Sequence, residues 1–270
     1  MKRLFSFLLI WILFVTLSIA EEKLEQKSGE TLELVFPEIV PTLFTQATGE
    51  ERVPNLLYRL PDNFSADKKY PVFVFLTGGT GSGMEKGGLG RAVQITGGKD
   101  YITATLPLFR RGNEVEKDEL FGGVLIGVDD FPVISKAYGA MLTKFFKEVP
   151  NAQTTGNFMG GFSNGAHTTA FLVSGQDETV LKHFQHFILA DGGIWMSSLH
   201  RYRMKECSFL GLYGDTDKYW TRPVIIQQFK TMKMTADALD VSFELIEMKG
   251  FGHKFPAEFD DDVLAWMKRQ

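Results

Sequence analysis

The 270-residue chain contains a single cysteine, Cys207, so no disulfide can close within it and its fold must rest on a packed core. Charge of one sign is also scarce: 29 Lys and Arg stand against 33 Asp and Glu, a formal net charge of -4. A surface with no basic excess has no general attraction for a polyanion, so nucleic acid is excluded as an expected partner. Beyond residue 20 no apolar run approaches the ~20 residues that a spanning helix needs. Nucleotide-binding signatures are missing as well. The run Gly79-Thr80-Gly81-Ser82-Gly83-Met84 lacks the third glycine of the dinucleotide fingerprint, and no Gly-Lys-Ser/Thr of a phosphate loop occurs. What is present, 44% apolar and 23% charged residues, is ordinary globular composition.

Residues 1–20 are read separately. Lys2 and Arg3 precede the apolar run Leu4 to Val15, and Ser18-Ile19-Ala20 closes it with small residues before Glu21-Glu22. That is the layout of a secretory signal peptide, with an uncleaved N-terminal membrane anchor as the competing reading. Cleavage after Ala20 would leave 250 residues with 27 basic and 33 acidic side chains, a net -6. Such a chain would be exported to the periplasm or medium without stable membrane insertion. Residues 21–30 are polar and read as a leader, and 31–270 as one domain. The apolar surroundings of Cys207 predict a buried, inert thiol.

Short runs at Leu32 to Val35 and Leu56 to Leu60, bounded by prolines, read as edge strands. Tyr70 to Leu76 is continuously apolar, as a strand covered on both faces must be. Similar runs follow at 101–108, 123–128, 156–160, 184–190, 208–213 and 241–248. Helix-compatible stretches lie between them at 133–149, 166–174, 223–239 and 257–269. This alternation predicts an α/β fold: a mostly parallel twisted sheet with helices on both faces and ligands at the carboxyl ends of its strands.

One segment carries chemistry. Gly161-Phe162-Ser163-Asn164-Gly165 follows an apolar strand and opens a helix-compatible stretch, the pattern of a nucleophile on a strand-to-helix turn so tight that its flanks must lack side chains. A serine hydroxyl is a weak nucleophile at neutral pH and requires a histidine base and an orienting carboxylate. Of the five histidines, His167 would project from the helix after Ser163, while His183, His186 and His200 precede the later strands. His253, in Gly250-Phe251-Gly252-His253 after a late strand, is the expected base. For the acid, Asp217 in the loop Gly214-Asp215-Thr216-Asp217 is favoured. Asp191, one strand earlier, and Asp215 remain open as alternatives. The developing oxyanion would be met by the backbone N–H of Asn164 and by a second donor from Gly79 or Thr80.

These residues resemble the α/β-hydrolase superfamily, in particular compact secreted esterases of the feruloyl esterase, acetylxylan esterase and polyhydroxybutyrate depolymerase group and their esterase D-like neighbours. The likeness runs from Val72 to Gly83 through the Ser163 turn and the Gly214 to Asp217 loop to Gly252-His253. One departure is Thr77-Gly78, where many relatives have His-Gly. The resemblance implies attack by Ser163 on an ester carbonyl, His253 as base, Asp217 as acid, an acyl-enzyme resolved by water, and no metal or organic cofactor. The substrate would be a small-molecule or polysaccharide-linked ester, with Trp195, Tyr219 and Trp220 as candidate pocket lining. Peptidase and thioesterase chemistry on the same triad, and a non-catalytic binding protein on the same fold, are the alternatives.

Overall fold

The five residues Val72–Leu76 are all apolar and all buried, which only a strand with both faces covered allows. Their side chains divide by alternation: Val72, Val74 and Leu76 join the larger hydrophobic cluster, while Phe73 and Phe75 join a second cluster across the sheet. The computed structural model from which this is read describes residues 28–39, 53–79, 85–108, 131–193, 204–216 and 222–270. The segment 1–20 and the strand expected at 123–128 lie outside the described residues.

In chain order the elements are β1 (Thr31–Val35), β2 (Asn55–Arg59), β3 (Val72–Leu76), α1 (Glu85–Thr96), β4 (Ile102–Thr105), α2 (Phe131–Glu148), β5 (Asn157–Phe162), α3 (Asn164–Ser174), α4 (Glu178–His183), β6 (Phe184–Ala190), β7 (Ser208–Gly214), α5 (Arg222–Leu239), β8 (Ser242–Met248), a 3-10 turn (Ala257–Phe259) and α6 (Asp260–Met267). The described strands form one eight-stranded sheet in the order β1-β2-β4-β3-β5-β6-β7-β8. β1 and β2 are antiparallel to their neighbours; every other pairing is parallel. The α/β architecture expected from the alternating runs is therefore present.

Helix α2 shows how the layers form. Ile134, Ala137, Tyr138, Met141, Leu142 and Phe145 recur at helical spacing and are buried, so one stripe packs on the sheet. α3, α4 and α5 share that face through Ala166, Ala170, Val180, Phe229 and Met232. α1 and α6 cover the other, where Ala92, Ile95, Val263 and Trp266 meet Phe73, Phe75 and Phe158. Among the described residues no helix is long and apolar enough to cross a membrane.

Two elements escape the sequence pattern. α1 carries Gly87, Gly88 and Gly90, which depress helix propensity. Gly88 is required, because a Cβ there would stand 2.5 Å from Thr105 Oγ1 and 3.0 Å from the Phe75 carbonyl oxygen. α4 is only six residues long, and its Asp177 N-cap accepting from the Val180 N–H is its clearest mark. At the other end of the chain, residues 28–30 are tied down rather than trailing: the Gly29 N–H donates to the Pro61 carbonyl and Arg59 Nε donates to the Gly29 carbonyl at 3.1 Å.

A Cβ at Gly165 would lie 2.2 Å from the Leu76 carbonyl oxygen, whereas at Gly90 nothing lies within 4 Å. Gly165→Ala is therefore expected to cost about 1–3 kcal/mol or more through overpacking. Gly90→Ala should instead add about 0.5–1 kcal/mol by relieving a helix-interior glycine. Urea unfolding of the two variants measures both signs.

Candidate active site

The site sits where β3, β5, β6 and β7 end. Ser163 lies between the last residue of β5 and the first of α3 with φ 54° and ψ -116°, a backbone conformation that costs a non-glycine residue roughly 1–3 kcal/mol. Its surroundings over-determine it. The Ser163 N–H donates to the Ala190 carbonyl at 2.9 Å and its own carbonyl accepts the His167 N–H at 3.0 Å. Gly161 and Gly165 pack so closely that a Cβ on Gly161 would stand 2.4 Å from the Gly165 backbone and 2.7 Å from the Leu76 carbonyl oxygen. Serine at a helix N-cap ordinarily gives its oxygen to a first-turn N–H; Ser163 makes no such bond. Its Oγ is instead 2.8 Å from His253 Nε2.

His253 Nδ1 is 2.5 Å from Oδ2 of Asp191, a side chain fully shielded from solvent. The carboxylate on the imidazole is thus the earlier alternative, at the end of β6. Asp217, the favoured acid, and the candidate donor Thr80 lie outside the described residues. Asp215, the other alternative, is engaged elsewhere: its Oδ1 accepts the Gly250 N–H at 2.6 Å. That bond and the Thr216 N–H to Phe251 carbonyl bond (3.0 Å) moor the loop bearing His253 to the end of β7. The loop crosses β7 at Gly214, where a Cβ would be 2.4 Å from both the Phe251 and Gly252 carbonyl oxygens. Phe162 packs against the His253 ring with centroids 4.9 Å apart.

Asn164 is 3% exposed, and its Nδ2 donates to the Gly79 carbonyl at 3.0 Å, joining the loop after β3 to the start of α3. As the first residue of α3, its backbone N–H has no acceptor within the helix and lies at the positive end of the dipole. Gly78 packs on the same turn, since a Cβ there would be 3.0 Å from Phe162 and 3.1 Å from the Ser163 Cβ.

The remaining described histidines have structural partners. His183 stacks on Phe146 with Nδ1 2.8 Å from the Thr154 carbonyl oxygen, and His186 Nδ1 lies 2.8 Å from Ser208 Oγ. His183 closes α4 just before β6 and His186 lies near the start of β6, away from the carboxyl ends that carry Ser163. His167 is different: its Nδ1 is 3.0 Å from the Gly193 N–H, and burial first, then the charge of His253, pushes its pKa down to about 4. Cys207 is buried, as expected, and burial pushes its thiol up to about 11. His200, Trp195, Tyr219 and Trp220 lie outside the described residues. Among the described residues no group of three or more His, Cys, Asp or Glu is placed to hold a metal ion.

Sequence reasoning missed the support behind His253. Arg91 on α1 donates from Nη1 to Asp260 Oδ2 at 2.8 Å and from Nη2 to the Pro256 carbonyl at 3.2 Å, with its guanidinium 4.3 Å from the Phe255 ring centroid. It clasps the segment immediately after His253. Burial raises the Asp260 carboxyl and Arg91 opposes that rise. Removing Arg91 leaves a nearly buried carboxylate unpaired, so Arg91→Ala should cost about 3 kcal/mol at pH 7. The deficit should narrow as the pH falls and Asp260, its carboxyl already raised by burial, takes up a proton and no longer needs the cation; denaturant titrations across a falling pH series test this.

No family model matches the chain, and no curated protein matches its sequence. Solved structures do match. A ferulic acid esterase superposes with a TM-score of 0.61 at 14% identity, over 90% of this chain and 98% of that one. The S-formylglutathione hydrolase from Agrobacterium tumefaciens gives a TM-score of 0.57 at 13% identity, over 91% and 98% of the two chains. A thermostable esterase gives 0.56 at 16% identity, and there this chain, matched over 89% of its length, spans only 63% of its counterpart. At such identities the likeness speaks to architecture, and with the strand order and the tight turn at Ser163 it establishes that this chain has the α/β-hydrolase fold.

Proposed function

We propose that the protein is a serine hydrolase of carboxylic esters. The observation that carries this reading is the unbroken chain from Ser163 Oγ to His253 Nε2 at 2.8 Å and from His253 Nδ1 to Asp191 Oδ2 at 2.5 Å. Asp191 fixes the ring so that Nδ1 carries its proton and Nε2 faces the hydroxyl as an acceptor. Ser163 Oγ then attacks the ester carbonyl as Nε2 takes its proton, and the negative charge gathers on the carbonyl oxygen. The Asn164 N–H at the start of α3 meets that charge, with the N–H of Gly79 or Thr80 as the proposed second donor. Collapse of the adduct expels the alcohol, which leaves with the proton from Nε2. Water activated by the same nitrogen resolves the acyl-enzyme and restores Ser163.

The ester preference draws on the neighbours, whose names include esterases and a carboxylesterase. Two of the structural neighbours are S-formylglutathione hydrolases, which makes thioesters the second acyl donor to test. A small-molecule or polysaccharide-linked ester is the proposed substrate. Export is proposed on the basic start, apolar run and small-residue close of residues 2–20.

Hydrolysis of p-nitrophenyl acetate, methyl ferulate, acetylated xylan and an acyl thioester by purified protein identifies the class of acyl donor. Ser163→Ala should lower kcat by roughly 10⁴-fold or more with the fold intact. Turnover that persists in that variant, or no turnover of any member of the panel by the unaltered protein, would reject the reading in favour of a binding protein.

A further inference from the structure

We propose that His167 is a positioning residue for this reaction, a neutral imidazole that holds the turn carrying Asp191 in register with Ser163. The inference rests on the assignment of Ser163, His253 and Asp191 given above. An amide N–H can only donate, so the 3.0 Å contact from the Gly193 N–H makes His167 Nδ1 an acceptor and puts the ring's proton on Nε2. An imidazolium could not accept this bond.

The turn needs such a hold. Asp191 has φ 48° and Gly193 φ 93°, so two of its three residues are left-handed, one of them at the cost a side chain brings there. On the sheet side the Asp191 N–H donates to the Leu212 carbonyl at 2.7 Å, while the Gly214 N–H reaches Asp191 Oδ1 only at 3.4 Å. On the other side of the turn, the side-chain anchor among the described residues is His167. Gly192, between them, lies against the nucleophile's own backbone: a Cβ there would be 2.4 Å from the Ser163 carbonyl oxygen.

His167 is also one helical turn after Ser163, and its N–H donates to the Ser163 carbonyl at 3.0 Å, the first bond of α3. One rigid element therefore sets both the nucleophile and, through the Gly193 amide, the acid. A displacement of Asp191 by a fraction of an ångström would turn the His253 ring away from Ser163 Oγ. The low basicity of His167 suits the role, because His253 gains a proton during acyl transfer and His167 must neither take it nor lose its bond.

Two measurements test the proposal. In the unaltered protein, nitrogen chemical shifts of His167 should report the Nε2–H tautomer from pH 5 to pH 8; a proton on Nδ1 would overturn the assignment whatever the enzyme hydrolyses. Kinetics per active site, counted with a fluorophosphonate, should show kcat of His167→Leu lower by roughly 10- to 100-fold with KM within about twofold. His167→Asn, which restores an acceptor near the Nδ1 position, should recover most of that loss. Equal kcat per site in the two variants and the parent, or a change confined to KM, would refute a positioning role. If His167→Leu does not fold, the tautomer and the His167→Asn kinetics still decide. Failure of Ser163 in the parent to label would instead reject the hydrolase reading on its own.

Discussion

The close approach of α3 to the end of β3 is the constraint on which the site depends. Gly165 leaves no room for a single methyl against the Leu76 carbonyl, and Gly161 leaves none against Gly165. With those side chains absent, the backbone turns from β5 into α3 within one residue, and Ser163 is forced to φ 54°. The strain is held by the parallel strands on either side, whose ladders fix Leu76 beside Gly161 and Ala190 beside Phe162. A strand register set by alternating core residues thus places the Ser163 hydroxyl, a helix-start N–H with no acceptor in its own helix and the Asp191 turn together. Packing spread over two hydrophobic clusters thereby fixes the backbone at Ser163.

The proposed base arrives by a different logic. His253 sits on a loop, and loops are ordinarily less precise platforms than strands. Here the loop is moored on three sides: by Asp215 through the Gly250 N–H, by close backbone contact at Gly214, and by Arg91 through Pro256 and Asp260. Arg91 belongs to α1, the helix that follows the glycine-rich segment after β3. The elements expected to supply the base and the second oxyanion donor are therefore linked through one guanidinium, and a change in α1 would be felt at both.

Much of this was legible in the sequence because it is written locally. The Gly-x-Ser-x-Gly pattern between an apolar run and a helical one encodes its own geometry, and only His253 had both the chain order and the glycine context for a base. The carboxylate that meets the imidazole was not legible locally. The loops after β6 and β7 each carry an aspartate in the expected chain order, and the contact of Asp191 with the imidazole depends on the course of the turn after β6, which residue types alone do not give. The Gly192-Gly193 pair after Asp191 was the available signal: two glycines directly after a strand-ending aspartate announce a left-handed turn and a close approach, as they do around Ser163. Asp215 and Arg91 act through backbone amides and a carbonyl far away in sequence, and no pattern of residue types reports such bonds. α1 was hidden for the opposite reason, since the glycine that lets it approach the sheet is the residue that argues against a helix.

The central claim is that Ser163 is activated by His253 held by Asp191. The most direct measurement is the second-order rate of fluorophosphonate modification, with the adduct located by mass spectrometry, in the parent, Asp191→Asn and Asp217→Asn proteins. The account predicts an adduct on Ser163, a rate lowered by roughly 10⁴-fold in Asp191→Asn, and a rate within about threefold of the parent in Asp217→Asn. A parent rate retained in Asp191→Asn, or lost in Asp217→Asn alone, would contradict it.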